Sequence, residues 1–366
     1  MVVEIFEDLF GSTVDPLDKK TKDVRRFTFS NSDTKSSVQV ITWGATITSL
    51  KVVDNKGEIA DIVCGFDDIK GYQGENNPYF GATIGRICNR VANGKFKLEG
   101  KEINVTKNWN NRHQLHGGLI GFDKVVWDIE KVDKKNGSVT LTHINPDGHE
   151  GYPGELKATV VFKMNKIGSF QVNFFATTDK TTAVNLTNHS YFNLAGHDAG
   201  SNKLYEHLIK INADKITITD EDSIPTGGFM NVENTPFDLR QIDNLGVRLR
   251  ILDAPGFDDN FCVNNDSNKT IKIAKAYHRP SGRWMEVSSD QPGVQFYTSN
   301  FMPDSVKNES PIVGKGGAKY WKHGAFCFET QKYPDSVNHS NFPTTVLTPG
   351  ETYSHEVVFN FGVCDD

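Results

Sequence analysis

A chain of 366 residues with a formal net charge of −6 and a pI near 6.0 lacks the clustered Lys and Arg of a nucleic-acid binder, and a neutral or weakly charged partner fits it better. Apolar residues make up 37%, and 24 phenylalanines supply ample core material for a globular fold. The opening "MVVEIFEDLFGSTVDP" sets Glu4, Glu7 and Asp8 where a secretion signal needs basic residues and then an apolar run, and no apolar stretch is long enough to span a membrane, so a soluble, cytoplasmic protein is expected.

Along the chain, alternation at period two dominates. "SVQVITWGATITSLKVV" (37–53) reads as strand, "NKGE" (55–58) as a turn, and "KFKLEGKEINVT" (95–106) as a hairpin around Glu99 and Gly100. Further strands follow in "GSVTLTHI" (137–144), "LKATVVFKM" (156–164), "SFQVNFFATT" (169–178), "HLIKINADKITIT" (207–219) and "YSHEVVFNFGV" (353–363). We find no amphipathic helix longer than about three turns. The class is therefore all-β and mostly antiparallel, and with no linker, repeat or charge run to divide it, residues 1–366 are expected to form one domain with its core at about 28–361. Five scattered cysteines, Cys64, Cys88, Cys262, Cys327 and Cys364, form neither a disulfide framework nor a zinc set and read as reduced thiols. Sequons such as those at Asn104 and Asn188 are correspondingly expected to be inert.

Polar residues inside strands are the candidates for chemistry, because burying them is costly unless each is partnered. In "NLTNHSYFNLAG" (185–196), alternation puts Asn185, Thr187, His189, Tyr191 and Asn193 on one face. His189 is then either a satisfied core histidine or a proton donor. In "AFCFETQKYPD" (325–335), Glu329 shares a face with Ala325 and Cys327; in "GVQFYTSN" (293–300), Gln295, Tyr297 and Ser299 line one face. Asp258 in "GFDDNFCV" reads equally as part of a turn. Amides, hydroxyls and aromatics on a concave sheet, with one His and one Glu, suit a neutral polyhydroxylated ligand such as a sugar.

Other constellations carry less. His113 and His116 in "HQLH" face opposite ways in extended chain and make a poor metal pair. "GATIGRICNR" and "GKGGAK" lack the ending and setting of a phosphate loop and read as turns. "DPLDKKTKDVRR" (15–26) mixes lysines with acids and reads as a solvated segment.

Six stretches together resemble the aldose 1-epimerases, in the galactose mutarotase branch: "GRICNRVANGKF" (85–96), "LHGGLIGFDKVVW" (115–127), "NHSYFNLAG" (188–196), "FDDNFCV" (257–263), "GVQFYTSN" (293–300) and "FETQKYPDSVNHSNFP" (328–343). They occur in the family's order. The resemblance implies a large antiparallel β-sandwich, a supersandwich, with an open sugar-binding cleft on one sheet. It implies His189 as general acid, Glu329 as general base, and Asn89, Arg90, His116, Asp258 and Gln295 as ligands of sugar hydroxyls. It also implies a monomer acting on a free monosaccharide such as galactose or glucose, with no metal or redox cofactor. One departure stands out: the family commonly shows Asp-His where this chain has Asp258-Asp259.

Exchanging α and β anomers requires a proton removed from the anomeric hydroxyl and another delivered to the ring oxygen, so one ionised carboxylate and one imidazolium suffice. Two alternatives remain at this level. A glycoside hydrolase needs two carboxylates about 5 to 9.5 Å apart, for which only Glu329 with Asp258 or Asp259 could serve. A sugar-binding relative without catalysis needs neither an acid nor a base.

Overall fold

Period-two alternation becomes three large antiparallel sheets in the computed structural model, which describes residues 3–364 apart from 266 and 268. One sheet holds Val3–Val14, Thr21–Asn31, Ser36–Ile41, Thr46–Val53 and Ile59–Asp61 in chain order. A nine-stranded sheet runs Asp128–Asp133, Ser138–Asn145, Leu156–Met164, Phe170–Thr178, Tyr353–Val363, Arg283–Ser289, Ile271–His278, His207–Ile211, Asp243–Asn244. The third, which carries the site, runs Pro225–Asn231, Ala213–Thr219, Asp258–Val263, Gly293–Tyr297, Cys327–Gln331. Helices among the described residues are short: Ile69–Gln73, Gly200–Leu204 and Leu245–Ile251. No helix there is long and apolar enough to cross a membrane.

The sheets pack face to face through phenylalanines. Phe29 of the first sheet meets Phe170 of the second edge-on at 5.4 Å, and Phe192 lies between Phe359 (5.7 Å) and Phe326 (6.0 Å). One buried apolar cluster runs from Phe29 through Phe162 and Phe174 to Phe296 and Phe328, so all three sheets share it. The architecture is a β-sandwich, in line with the alternation.

Two of the alternating stretches are broken where they read as continuous. Residues 37–53 fold back on themselves as a hairpin, because Gly44 takes φ +63 and leaves no room for a Cβ, which would meet the Asp123 carbonyl oxygen at 2.6 Å. Residues 207–219 divide at Asn212, whose N–H bonds Ile273 in the nine-stranded sheet while its carbonyl accepts from Asn264, next to the third sheet. That residue is the corner at which the chain changes sheets. The hairpin of 95–106 forms as read, with Glu99 and Gly100 both at positive φ in the turn.

Burial patterns explain where the site lies. Leu156–Met164 alternates buried with partly exposed residues, as expected with one face toward solvent, whereas Gly293–Tyr297 and Cys327–Gln331 are buried at every position. Val294, Phe296 and Phe328 point into the core. Gln295, Tyr297, Cys327 and Glu329 occupy the opposite face, which is roofed by the segments around Tyr79, Arg90, His116 and His189. The buried Arg86 guanidinium secures that roof by donating to Asn145 Oδ1 and its carbonyl, the Pro153 carbonyl and Thr182 Oγ1.

Gly81 joins the roof to the first sheet: its N–H donates to the His189 carbonyl, and its carbonyl accepts from Ile47 N and Asn188 Nδ2. It sits at φ +68, where a Cβ would meet the Ile47 carbonyl oxygen at 1.9 Å. Gly81→Ala is therefore expected to destabilise the protein by at least about 2 kcal/mol, from backbone strain and overpacking together. Urea denaturation measures this; a variant within about 0.5 kcal/mol of the parent, the range of a neutral surface change, would contradict the assignment.

Candidate active site

The seven residues singled out in the sequence come together. Asn89, Arg90, His116, His189, Asp258, Gln295 and Glu329 line one pocket of about 170 Å³. Its floor is the third sheet, where Gln295 lies opposite Glu329 and Asp258 opposite Tyr297 in the strand register.

His189 reaches the pocket from a segment that is only briefly a regular strand, Thr187–Asn188, followed by an isolated bridge at Phe192. Side chains on either side of His189 fasten that segment to the two ends of the Glu329 strand. Asn185 donates to the Lys332 carbonyl and accepts from the Lys332 N–H, both at 3.0 Å, while Asn193 donates to the Gly324 carbonyl at 3.0 Å. Between them Phe192 and Phe326 exchange backbone hydrogen bonds at 2.7 and 2.9 Å. The asparagines thus set the register between two segments, and Tyr191 is the neighbour that stacks on the imidazole, at 5.0 Å. Ser299, expected on the polar pocket face, turns away at φ +58 and donates to the Ala325 carbonyl.

The result is a close pair: His189 Nε2 lies 3.5 Å from Glu329 Oε2, and Cys327 Sγ lies 3.7 Å from His189 Nδ1. Burial pushes the Glu329 carboxyl well up, with the Asp258 charge adding to this and Arg90 opposing it, and burial pushes His189 down. An ionised carboxylate and a free imidazolium, each taken separately at its ordinary value, are therefore not what this site holds. Burial thus opposes charge on both groups, and a single proton held between them leaves the pair neutral.

Opposite the pair, Arg90 Nη2 lies 3.3 Å from Asp258 Oδ2, Gln295 Nε2 donates to Asp258 Oδ1 at 2.8 Å, and the Trp109 ring lies 5.2 Å under the Arg90 guanidinium. Arg90 Nε, Gln295 Oε1 and Glu329 Oε2 are buried without a hydrogen-bond partner in the protein. Orphaned polar atoms cost about 1–3 kcal/mol each, so three in one pocket are a preformed set of contacts for a polar ligand. Strained backbone marks the same place: Tyr79, Asn89 and His116 all hold positive φ (+66, +59, +52), a region uncommon for residues other than glycine.

His116, His189 and Glu329 also bring three ligand-type atoms within 4.8 Å of one another, a grouping that the spacing of His113 and His116 did not reveal. Metal-bound imidazoles donate their second N–H to an acceptor. His116 does the reverse, accepting the Asn89 backbone N–H at Nδ1 (3.1 Å), which places its proton on Nε2 and makes that nitrogen a donor rather than a lone pair for a cation. His113 serves elsewhere, with Nδ1 on the Asn93 N–H and Nε2 3.3 Å from Asp222 Oδ2.

Tyr79, Trp109 and Phe301 line the pocket too, and sequence reasoning missed them because they lie in loops rather than in alternating strands. Their common signal is an aromatic beside asparagine-bearing turn residues, in "NNPYF", "NWNNRH" and "SNFMP".

A family model of aldose 1-epimerases matches residues 25–360. The chain is 47% identical over 326 residues to galactose mutarotase of Bos taurus, spanning 89% of this chain and 91% of that one. It is 30% identical over 330 residues to aldose 1-epimerase of Escherichia coli K12, spanning 88% and 91%. Among solved structures, the aldose epimerase homologue of C. elegans superposes with a TM-score of 0.81 at 27% identity (90% of this chain, 96% of that one), and galactose 1-epimerase of Lactobacillus acidophilus NCFM with 0.81 at 26% (99% and 100%). The chain is an isomerase that belongs to the aldose 1-epimerase family.

Proposed function

We propose that the protein interconverts the α and β anomers of free hexoses, galactose and glucose foremost, by general acid and base catalysis from His189 and Glu329. The observation that carries this reading is the buried His189–Glu329 pair, 3.5 Å apart where roof and floor meet in a pocket with orphaned polar atoms. Glu329 takes the proton of the anomeric hydroxyl while His189 gives one to the ring oxygen. The C1–O5 bond breaks, the chain rotates about C1–C2, and reclosure on the other face of the aldehyde runs the two transfers backwards. Neither residue is consumed.

The pair carries one proton throughout. Carboxylate with imidazolium is the form that starts the reaction, and carboxylic acid with imidazole is the form that accompanies the open chain. Both are neutral overall, so the proton changes sides without net charge appearing in a dry site. Around it, Arg90 and the Nε2–H of His116 donate to sugar hydroxyls, Asp258 and Gln295 Oε1 accept from them, and Asn89 shapes the wall beside Arg90. The galactose mutarotase name of the mammalian relatives supports galactose as substrate. Five free cysteines, four of them buried, fit a reducing compartment such as the cytoplasm.

Glu329→Gln is expected to abolish mutarotation while leaving sugar binding within about tenfold, and His189→Asn to lower turnover by about 10² or more, the scale of one lost general catalyst. Polarimetry on freshly dissolved α-galactose measures both; a near-normal relaxation rate removes that residue from the mechanism.

The pH profile follows from the pair. Burial disfavours the net +1 form, acid with imidazolium, and the net −1 form, carboxylate with imidazole. The active one-proton state is then lost on the acid side only below the ordinary imidazole value of about 6.5, and on the alkaline side only above the ordinary carboxylate value of about 4.3. kcat/KM is therefore expected to show no acid limb at or above the ordinary imidazole value. An acid limb with its midpoint at or above about 6.5, the value of an unperturbed imidazole, would sink this account.

A further inference from the structure

His189 lies against two phenol rings that are nearly parallel to it. Tyr191, two residues on, stacks at 5.0 Å between centroids and 15° between planes; Tyr79, from a separate roof segment, stacks at 5.9 Å and 24°. His116 and Tyr297 meet the imidazole edge-on at 5.2 and 6.4 Å, with Cys327 Sγ at Nδ1 and Glu329 Oε2 near Nε2. Burial holds His116, Cys327 and the three phenols toward their neutral forms. Glu329 is thus the counter-charge in direct reach of His189, with Arg90 and Asp258 paired beyond it.

A single carboxylate is thin support for an imidazolium removed from water. The face of an aromatic ring carries the negative end of its quadrupole and attracts a cation, most strongly where solvent is excluded. Tyr79 is held in place there: its backbone takes φ +66, and Lys124 Nζ lies 5.6 Å from its ring centroid.

We infer that Tyr79 is a positioning residue for the proton of His189, its ring joining that of Tyr191 in a π clamp that favours the imidazolium and fixes the imidazole plane toward Glu329. The inference rests on the reading of His189 as proton donor. It concerns the ring of Tyr79, not its hydroxyl. It also accounts for an aromatic, strained roof residue that strand alternation did not reveal.

The test compares Tyr79→Phe, which keeps the π face, with Tyr79→Leu and Tyr79→Met, which remove it while keeping an apolar side chain. Mutarotation is followed by polarimetry across pH, and the His189 ring by NMR titration, using whichever aliphatic variant keeps the parental thermal transition. Tyr79→Leu or Tyr79→Met is expected to lower kcat about tenfold at pH 7, with KM within about threefold, and to move the acid limb and the NMR midpoint down by about one pH unit. Tyr79→Phe is expected to stay within about threefold of the parent, with the limb unmoved. Unchanged kcat and limb in both aliphatic variants overturn the clamp. So does a Phe variant as impaired as the aliphatic ones with a raised KM, because that result assigns the effect to a hydroxyl touching the sugar. If His189→Asn keeps full turnover the donor reading itself has failed; if that variant is inactive and the aliphatic variants are normal, only the clamp has failed.

Discussion

Desolvation of the His189–Glu329 pair is the constraint on which the rest of the site depends. Both side chains are almost fully buried, and the nearest atoms of their functional groups lie 3.5 Å apart. Two separate ions would be expensive there, but one proton shared between an acid and a base leaves the pair neutral in each of its two forms. The proposed ring opening, which moves one proton on and one off, suits such a pair, because each of its stages would correspond to one of the two neutral forms. The dryness that disfavours isolated charge also strengthens the hydrogen bonds that the pocket offers a polar ligand.

Holding that pair requires two separate pieces of chain in fixed register. The Glu329 strand is anchored from below by Phe326 and Phe328 in the shared core, and the His189 segment is laid across it by Asn185 at one end and Asn193 at the other. A side chain that both donates to and accepts from one backbone position, as Asn185 does at Lys332, fixes the position of its segment along the strand. Gly81 then fastens the His189 carbonyl to the first sheet. The His189–Glu329 pair thus draws on both five-stranded sheets, and the pocket lies where the roof segments cover the outer face of the third.

Much of this was legible in the chain, for identifiable reasons. Strands with one solvent face, such as Leu156–Met164 and Tyr353–Val363, match their alternating stretches because burial on one side writes period two directly into the residues. Where the chain turns between two strands of similar pattern, as at Gly44, or passes from one sheet to another, as at Asn212, alternation continues across the corner and conceals it. The polar strand face carrying Gln295, Tyr297 and Glu329 was readable because a carboxylate and an amide opposite phenylalanines demand partners. Tyr79, Trp109 and Phe301 were not, since their place at the pocket comes from loops closed by long-range contacts such as Arg90 over Trp109. The roles of the asparagines around His189 were not legible either: alternation put them on the imidazole's face, whereas Asn185 and Asn193 spend their amides on backbone at the ends of the neighbouring strand. The ionisation states also lay beyond the sequence, because they follow from burial that only the assembled roof creates.

Asp259 stands where the resemblance leads one to expect a histidine, and its surroundings govern its charge. Asp258 is committed to the pocket through Arg90 and Gln295, whereas Asp259, on the other side of the strand, accepts the Asp258 backbone N–H at 3.0 Å. Burial, reinforced by the Asp258 charge, pushes the Asp259 carboxyl up to about 7, so near neutral pH it is divided between acid and anion. The charges that act on Glu329 are those of Asp258 and Arg90, which pair with each other. The His189–Glu329 pair thus lies beside a second neutral pair, and the residue that differs is one whose charge can be lost by taking up a proton.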